Sequence, residues 1–303
     1  MQYPNNQIEF EKMFATNEDC LQYIISLRWP EGFSCPSCGE KKYWLASKNR
    51  IICTLCEHQT TATAGTIFEQ TNKPITLWFR AIWWMVAQKN GVSALGLQKI
   101  LGLGSYKTAW TWLHKLRLLT VTPGREVLSG VIELDETYVG GKATGKRGRG
   151  AENKSVVLIA VEILEKGTGR IRLGIIPDVT GKNLLKWIRV NIQKESVVIT
   201  DGWQGYNRLK HNGYKHKIDL GTIISNDEEI LPNAHRVAAL LKRWLIGTHQ
   251  NYTSNERLCS YLDEFVFRYN RRKSKSRGLL FKRVMEQAVT HNPVKYSDIK
   301  DKK

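Results

Sequence analysis

Residues 131–142 read VIELDETYVGGK, an alternating apolar run into which acidic side chains are set. Side chains on an extended strand alternate between its two faces. One face therefore carries Val131, Glu133, Asp135 and Thr137, and the other carries Ile132, Leu134, Glu136 and Tyr138. Burying a carboxylate is costly, so a half-buried strand that displays Asp135 from its middle indicates a functional use for that side chain.

A second carboxylate, Asp201, closes the apolar run SVVITD at 196–201, directly before the turn GWQGY at 202–206. Two carboxylates on neighbouring strand ends repel each other, and the pKa of one rises unless a cation lies between them. A divalent metal ion is the simplest such cation. The alternative, two aspartates in ordinary surface turns, is disfavoured by the apolar character of both runs.

The pattern around these carboxylates predicts an α/β domain. Apolar runs at 129–141, 154–164 and 169–179 are separated by Gly-rich or charged segments and indicate a three-stranded meander. A helix over 181–193 precedes the run that ends at Asp201. A further strand is predicted at 214–220, and helices are predicted at 235–247 and 254–272 from the spacing of apolar residues.

The composition favours a polyanionic partner. The chain has 303 residues, enough for two or three domains, and 46 Lys and Arg against 28 Asp and Glu give a formal net charge of +18. Such a positive potential attracts phosphate backbones, although a merely basic, solvated surface would look the same. No run approaches the about 18 apolar residues of a membrane span, and the N-terminus lacks a signal peptide pattern, so a cytoplasmic, nucleoid-associated protein is expected.

Four of the six cysteines form two CxxC pairs, Cys35 with Cys38 and Cys53 with Cys56. Each pair can direct two sulfurs at one ion, and the intervening hairpin brings the pairs together. This spacing predicts one structural zinc ion, because a closed set of four thiolates leaves no open coordination position. Four free buried thiols and an iron–sulfur cluster are the weaker alternatives. The two lone cysteines are predicted to be core residues: Cys20 and Cys259.

Helices predicted over 75–89, 93–101 and 106–119 are typical of a helix-turn-helix region. The polar face of the third helix would contact a DNA major groove through Lys107, Thr108, Trp110, Thr111, His114 and Lys115. The alternative is a well-packed core helix, to which Trp110, Trp112, Leu113 and Leu116 would contribute the apolar side chains. The predicted domains are a helical segment at 1–32, a zinc ribbon at 33–64, a helix-turn-helix region at 65–122, and a catalytic domain with C-terminal helices at 123–303.

Five segments together resemble the DDE-type transposases of bacterial insertion sequences, specifically the ISXO2-like group with an N-terminal zinc ribbon. The segments are CPSC…CTLC, IELDETYVGGK, ITDGWQGY, HRVAALLKRWLIGTH and YLDEFVFRYNRR, in the order of that family and spread over nearly the whole chain. The resemblance implies a ribonuclease H-like catalytic domain with a mixed sheet flanked by helices. It also implies DNA strand cleavage and transfer at terminal inverted repeats, with Asp135 and Asp201 as metal ligands.

The third ligand position is where the chain departs from the commonest pattern. The resemblance places it seven residues before the lysine of LKRW, which is His235 here. On the predicted helix, His235, Ala239 and Lys242 lie along a polar face, opposite an apolar face of Val237, Leu240, Leu241, Trp244 and Leu245. Glu264 is the competing third carboxylate, and Glu228 and Glu229 are weaker candidates.

The resemblance further implies two catalytic Mg²⁺ or Mn²⁺ ions held by Asp135, Asp201 and His235, and a homodimer or larger multimer on transposon ends and target DNA. Basic residues predicted to contact DNA are Lys107, Lys115, Lys142, Lys146, Arg147, Arg149, Lys242, Arg243, Arg271 and Arg272. The competing hypothesis is a catalytically inactive DNA-binding regulator that keeps only the zinc ribbon and the helix-turn-helix region.

Overall fold

The structure is a computed structural model that describes residues 2–46, 50–140, 154–219, 230–250 and 255–300. Two compact units divide the chain. The first holds the described residues up to 122 and those from 274 onwards, and the second holds those from 123 to 273. Among the described helices, none is long and apolar enough to cross a membrane.

The first unit begins with two helices and a small antiparallel sheet. These are α1 (Gln7–Met13), α2 (Asn17–Arg28), β1 (Tyr43–Ala46), β2 (Arg50–Cys53) and β3 (Gln59–Thr61), with the strands in that order in the sheet. A capping box starts α2: the Thr16 hydroxyl accepts a hydrogen bond from the Asp19 backbone N–H, and the Asp19 carboxylate accepts one from the Thr16 N–H. Both orphan donors are satisfied, which fixes where the helix begins.

Three helices follow at the predicted positions: α3 (Ile75–Ala87), α4 (Ala94–Leu101) and α5 (Tyr106–Leu118). The Ser93 side chain caps α4 by accepting a hydrogen bond from the Gly96 N–H, at 3.0 Å. Gly102 ends α4 in the left-handed conformation, at φ 60°, which glycine adopts without strain.

The first unit is completed by the last two described helices, α9 (Arg277–Thr290) and α10 (Tyr296–Lys300). Phe281 is fully buried in an aromatic cluster, with ring centroids 5.5 Å from Phe10, 5.4 Å from Phe14 and 5.7 Å from Phe79. The sequence placed these helices in the catalytic domain. The structure groups them with the N-terminal helices instead, because α9 supplies part of that unit's aromatic core.

The second unit contains one mixed five-stranded sheet. Its strands are β4 (Val131–Val139), β5 (Ser155–Ile163), β6 (Thr168–Ile176), β7 (Val197–Thr200) and β8 (Lys215–Ile218). Their order is β6-β5-β4-β7-β8; β4, β5 and β6 are the predicted antiparallel meander, and β7 and β8 run parallel to β4.

Helices cover both faces of this sheet: α6 (Gly181–Asn191) on one face, and α7 (Pro232–His249) with α8 (Asn255–Asn270) on the other. Ile132 and Leu134 of β4 pack with α6, whereas alternate residues of β5 pack with α7 and α8. This is the ribonuclease H-like arrangement, so the predicted fold class is confirmed.

We predict that Phe281→Ala lowers the free energy of unfolding of the first unit by about 3–5 kcal/mol, because it leaves a cavity among four or more aromatic rings. Denaturant unfolding measures the change. Ile8→Ala, at a side chain that is 66% exposed in the same unit, is the control and should change stability little. An equal loss in both variants would contradict the assignment of α9 to this core.

Candidate functional site

The two aspartates lie at the same level of neighbouring parallel strands. Val131 of β4 is opposite Val197 of β7, and Glu133 is opposite Ile199. Continuing this register by one pair of residues sets Asp135 opposite Asp201, which directly follows β7. Since residues in register on parallel strands point to the same face, both carboxylates project towards the side of the sheet that α7 covers.

The loop that follows β7 holds the Asp201 carboxylate through a backbone hydrogen bond. Asp201 Oδ1 accepts a hydrogen bond from the Trp203 backbone N–H, at 3.0 Å, and the Trp203 indole N–H donates to the Val179 carbonyl, at 3.1 Å. Gly205 allows this packing, because a Cβ there would lie 2.7 Å from the Trp203 indole nitrogen. The glycines in GWQGY therefore serve close approach as well as the turn.

His235 lies in the first turn of α7, and its Nε2 is 3.3 Å from Asp135 Oδ2. The His235 side chain is 43% exposed and the Asp135 side chain 13%. Val237, Leu241, Trp244 and Leu245 are buried, as predicted for the apolar face of this helix. Leu240 was wrongly predicted on that face: it is 37% exposed, because α7 packs along one narrow stripe.

The Asp135 carboxyl group carries electrostatic strain. Burial raises its pKa, and the negative charges of Glu136 and Asp201 add to the rise, while the Glu136 backbone N–H and His235 act in the opposite direction. The resulting pKa is about 6. A carboxylate in this position gains from a nearby cation, so the site has the chemistry of a divalent metal site.

The three candidate ligands are neighbours rather than a closed cage. Among the described residues, only the four cysteines form a group of three or more possible metal ligands whose ligand atoms all lie within 4.8 Å of one another. Asp135 contacts His235 directly and interacts with Asp201 through charge. Oxygen and imidazole ligands on one open face fit a catalytic metal better than a structural one.

The four cysteines converge as the CxxC spacing predicts. Cys35 Sγ is 3.6 Å from Cys56 Sγ, and Cys38 Sγ is 3.5 Å from Cys53 Sγ. Tetrahedral zinc with Zn–S bonds of about 2.3 Å needs sulfurs about 3.8 Å apart, so the set fits one zinc ion. Cys20 is fully buried, as predicted, but Cys259 is exposed on α8, so its prediction as a core residue was wrong.

Comparisons with known proteins match two parts of the chain. Residues 127–270, which contain Asp135, Asp201 and His235, match the family described as ISXO2-like transposase domain, and residues 15–59 match the transposase zinc-ribbon domain. The chain contains an ISXO2-like transposase domain preceded by a transposase zinc ribbon.

One relative of this transposase is a Halobacterium salinarum protein described as an uncharacterized protein in transposable element ISH50. It is 25% identical over 281 residues, which cover 85% of this chain and 92% of that protein. A solved structure described as the Mos1 strand transfer complex is 12% identical and covers 73% of this chain and 80% of its own, with a TM-score of 0.28. A TM-score this low gives no support for a shared topology.

Glu264, the alternative third metal ligand predicted from the sequence, is hydrogen-bonded to an arginine. It is 1% exposed inside α8, and its Oε1 accepts hydrogen bonds from Arg268 Nε at 2.9 Å and Nη2 at 2.8 Å. This buried pair gives Glu264 a structural role. Glu228 and Glu229 lie outside the described residues.

The predicted DNA-contacting residues fall into different environments. Lys242 and Arg243 are exposed on α7. Arg272 donates to the Thr168 carbonyl of β6 at 2.5 Å, so it also ties the end of α8 to the sheet. Arg271 lies over the Phe267 ring of α8, 4.2 Å from the ring centre. Four predicted contacts lie outside the described residues: Lys142, Lys146, Arg147 and Arg149.

The third helix of the predicted helix-turn-helix region, α5, is more buried than its polar residues predicted. His114 is only 4% exposed, so its prediction as a groove-facing residue was wrong. Trp112 stacks on Trp78 with ring centroids 3.9 Å apart. Lys107 is exposed and lies 4.0 Å from the Tyr296 ring centre, and burial lowers the pKa of Lys115.

Sequence reasoning missed two contacts that hold the site of this transposase. Glu136 Oε2 accepts a hydrogen bond from the Tyr206 hydroxyl, at 2.9 Å, on the α6 side of the sheet. Burial and the Glu136 charge raise the pKa of Tyr206 well above its ordinary value. On the α7 side, Glu133 bonds the start of α7. Strand alternation indicated the two faces, but no sequence signal identified the partners.

We predict that Cys38→Ser removes most of the zinc from the purified transposase, because three thiolates no longer close the tetrahedral site. Elemental analysis should find one zinc ion per wild-type chain and much less in the variant. Cys259→Ser, at a cysteine outside the cluster, should keep its zinc. Full zinc content in Cys38→Ser would contradict the four-cysteine site.

Proposed function

We propose that this transposase cleaves and joins DNA strands at the terminal inverted repeats of an insertion sequence, with Asp135, Asp201 and His235 as ligands of two Mg²⁺ or Mn²⁺ ions. The single observation that carries the proposal is the 3.3 Å contact between His235 Nε2 and Asp135 Oδ2, beside the strand end that presents Asp201. These three groups come from distant parts of the chain, and side chains of these types can bind metal ions.

Asp135, Asp201 and His235 would each contribute a ligand to the ions. Asp135, at 13% side-chain exposure, is more enclosed than His235, at 43%. When bound, two divalent ions activate the attacking oxygen and stabilise the leaving oxygen of an in-line displacement at phosphorus. Partial burial strengthens these charge interactions, because less water screens them.

The overall reaction has two displacements of the same kind. In the first, water attacks the phosphorus at the element's end, the P–O3′ bond breaks, and a 3′-hydroxyl is released. In the second, that hydroxyl attacks a phosphodiester of target DNA and displaces its O3′. One site serves both steps, because the bond changes at phosphorus are equivalent.

The basic residues of α7 support binding of the DNA substrate next to this site. Lys242 is exposed and lies seven residues after His235, which is about two helical turns, so both project from the same side of α7. Arg243 is exposed beside it. Together with a net charge of +18, these residues favour contacts to DNA phosphates. By family resemblance, we propose a dimer or larger multimer on paired ends.

The proposal predicts that Asp135→Ala and Asp201→Ala each reduce strand cleavage in Mn²⁺ more than about 100-fold, because loss of a ligand costs at least as much as loss of an outer-shell partner. The measurement is cleavage of labelled DNA that contains the element's ends, alongside DNA binding by gel shift. Binding should persist in both variants.

Glu165→Ala, at an exposed carboxylate between β5 and β6, is the matched control and should cleave like wild type. If wild type binds the ends without cleaving them, the chain is instead a DNA-binding regulator. If all variants cleave equally, cleavage does not depend on Asp135 and Asp201, and the proposed site is wrong.

A separate prediction concerns the metal preference. Mg²⁺ prefers oxygen ligands, whereas imidazole suits Mn²⁺ and later metals. His235→Glu should therefore cleave at least as well as wild type in Mg²⁺, and the ratio of rates in Mg²⁺ and Mn²⁺ should rise. His235→Ala controls for loss of the ligand. A clear loss of Mg²⁺ activity in His235→Glu would count against a ligand role for this residue.

A further inference from the structure

The start of α7 is held by a residue that comes from another part of the chain. Leu231 precedes the helix in the left-handed conformation, at φ 50°, and its side chain does not cap the helix. Pro232 occupies the first turn. The first backbone N–H groups of a helix have no intrahelical acceptors, so those of Asn233 and Ala234 need acceptors from elsewhere.

Glu133 of β4 supplies these acceptors. Its Oε2 accepts from the backbone N–H of Asn233 at 2.9 Å and of Ala234 at 2.9 Å, and its Oε1 accepts from Asn233 Nδ2 at 2.7 Å. Glu133 is only 6% exposed. Hydrogen bonds from the first turn to both oxygens of a buried carboxylate hold that end of the helix in one place.

A second carboxylate steadies the residue just before α7. Asp219, which follows β8, accepts a hydrogen bond from the Leu231 N–H through Oδ2, at 3.2 Å. The Leu231 side chain is fully buried. The entry to α7 is therefore tied to β4 through Glu133 and to the end of β8 through Asp219.

The same strand that carries Asp135 thus also sets the position of His235. Glu133 and Asp135 are successive residues on the α7 face of β4, and Asn233 and His235 are two residues apart in the first turn of α7. A displacement of that turn would carry His235 away from Asp135. We propose that Glu133 is a positioning residue: it fixes the first turn of α7 so that His235 and Asp135 share metal ions. The metal part of this proposal rests on the proposed function.

The test compares Glu133→Gln with Glu162→Gln. The amide keeps one accepting oxygen and replaces the other with an NH₂ group, so it cannot accept from the two backbone N–H groups and from Asn233 Nδ2 as the carboxylate does. Glu162 is the matched control: it is a buried carboxylate of the same sheet, 7% exposed, and it binds Arg170. Both changes perturb a buried carboxylate, but only the first touches α7.

Two measurements on the apoprotein test the positioning role without any reaction. Hydrogen exchange should show reduced protection of the Asn233 and Ala234 amides in Glu133→Gln and unchanged protection in Glu162→Gln. NMR of ring-labelled histidine, assigned with His235→Gln, should show a shifted His235 signal in Glu133→Gln alone. Unchanged protection and an unchanged ring signal would overturn the proposal.

The metal titration adds a readout that a merely structural role would not change. The Mn²⁺ concentration for half-maximal cleavage should rise roughly 10- to 100-fold in Glu133→Gln, with less effect on the rate at saturating Mn²⁺, because the loss of an outer-shell partner weakens binding by about that factor. Glu162→Gln should keep the wild-type value. An unchanged Mn²⁺ requirement despite altered histidine and amide signals would also overturn the metal part.

A milder variant covers the case in which Glu133→Gln does not fold. Asn233→Ala removes only the donor to Glu133 Oε1 from a half-buried side chain, and it should shift the His235 signal in the same direction by less. If wild type shows no cleavage at all, the proposed function fails, while the apoprotein measurements still decide whether Glu133 positions His235.

Discussion

The organisation of the second unit depends on one constraint, the alternation of side chains along β4. Ile132 and Leu134 must enter the core under α6, because they are fully buried there. The residues between them are then forced to the opposite face, towards α7. Burial of the apolar face therefore directs Asp135 at the helix that carries His235, and the parallel register with β7 sets Asp201 beside it.

β4 also carries three carboxylates that are buried or partly buried, which is unusual for a strand. Each of the three has different partners. Glu133 bonds the first N–H groups of α7, and Glu136 bonds the Tyr206 hydroxyl on the other face. Asp135 lies between them, beside a half-exposed imidazole, and its pKa rises to about 6. Glu133 and Glu136 thus hold other elements of the fold through hydrogen bonds. Asp135 has a raised pKa, and a nearby cation would stabilise its charged form.

The first unit is assembled from both ends of the chain. Its N-terminal helices and α9 share one aromatic cluster, in which Phe281 is fully buried. The chain leaves this unit after residue 122, forms the second unit, and returns at 274. The zinc ribbon in the same unit is held differently, by four converging thiols, because its short strands bury few apolar side chains.

Strong local signals were enough to predict the CxxC pairs, the meander, the helices α3, α4 and α5, and the pairing of Asp135 with a second strand-end aspartate. These follow from spacing and alternation, which are properties of neighbouring residues. The packing of the elements decided that Glu133 caps α7 and that α9 joins the N-terminal helices. Those contacts join residues far apart in the chain, and hydrogen bonding and burial among such residues are fixed by how the elements pack, which no local pattern encodes.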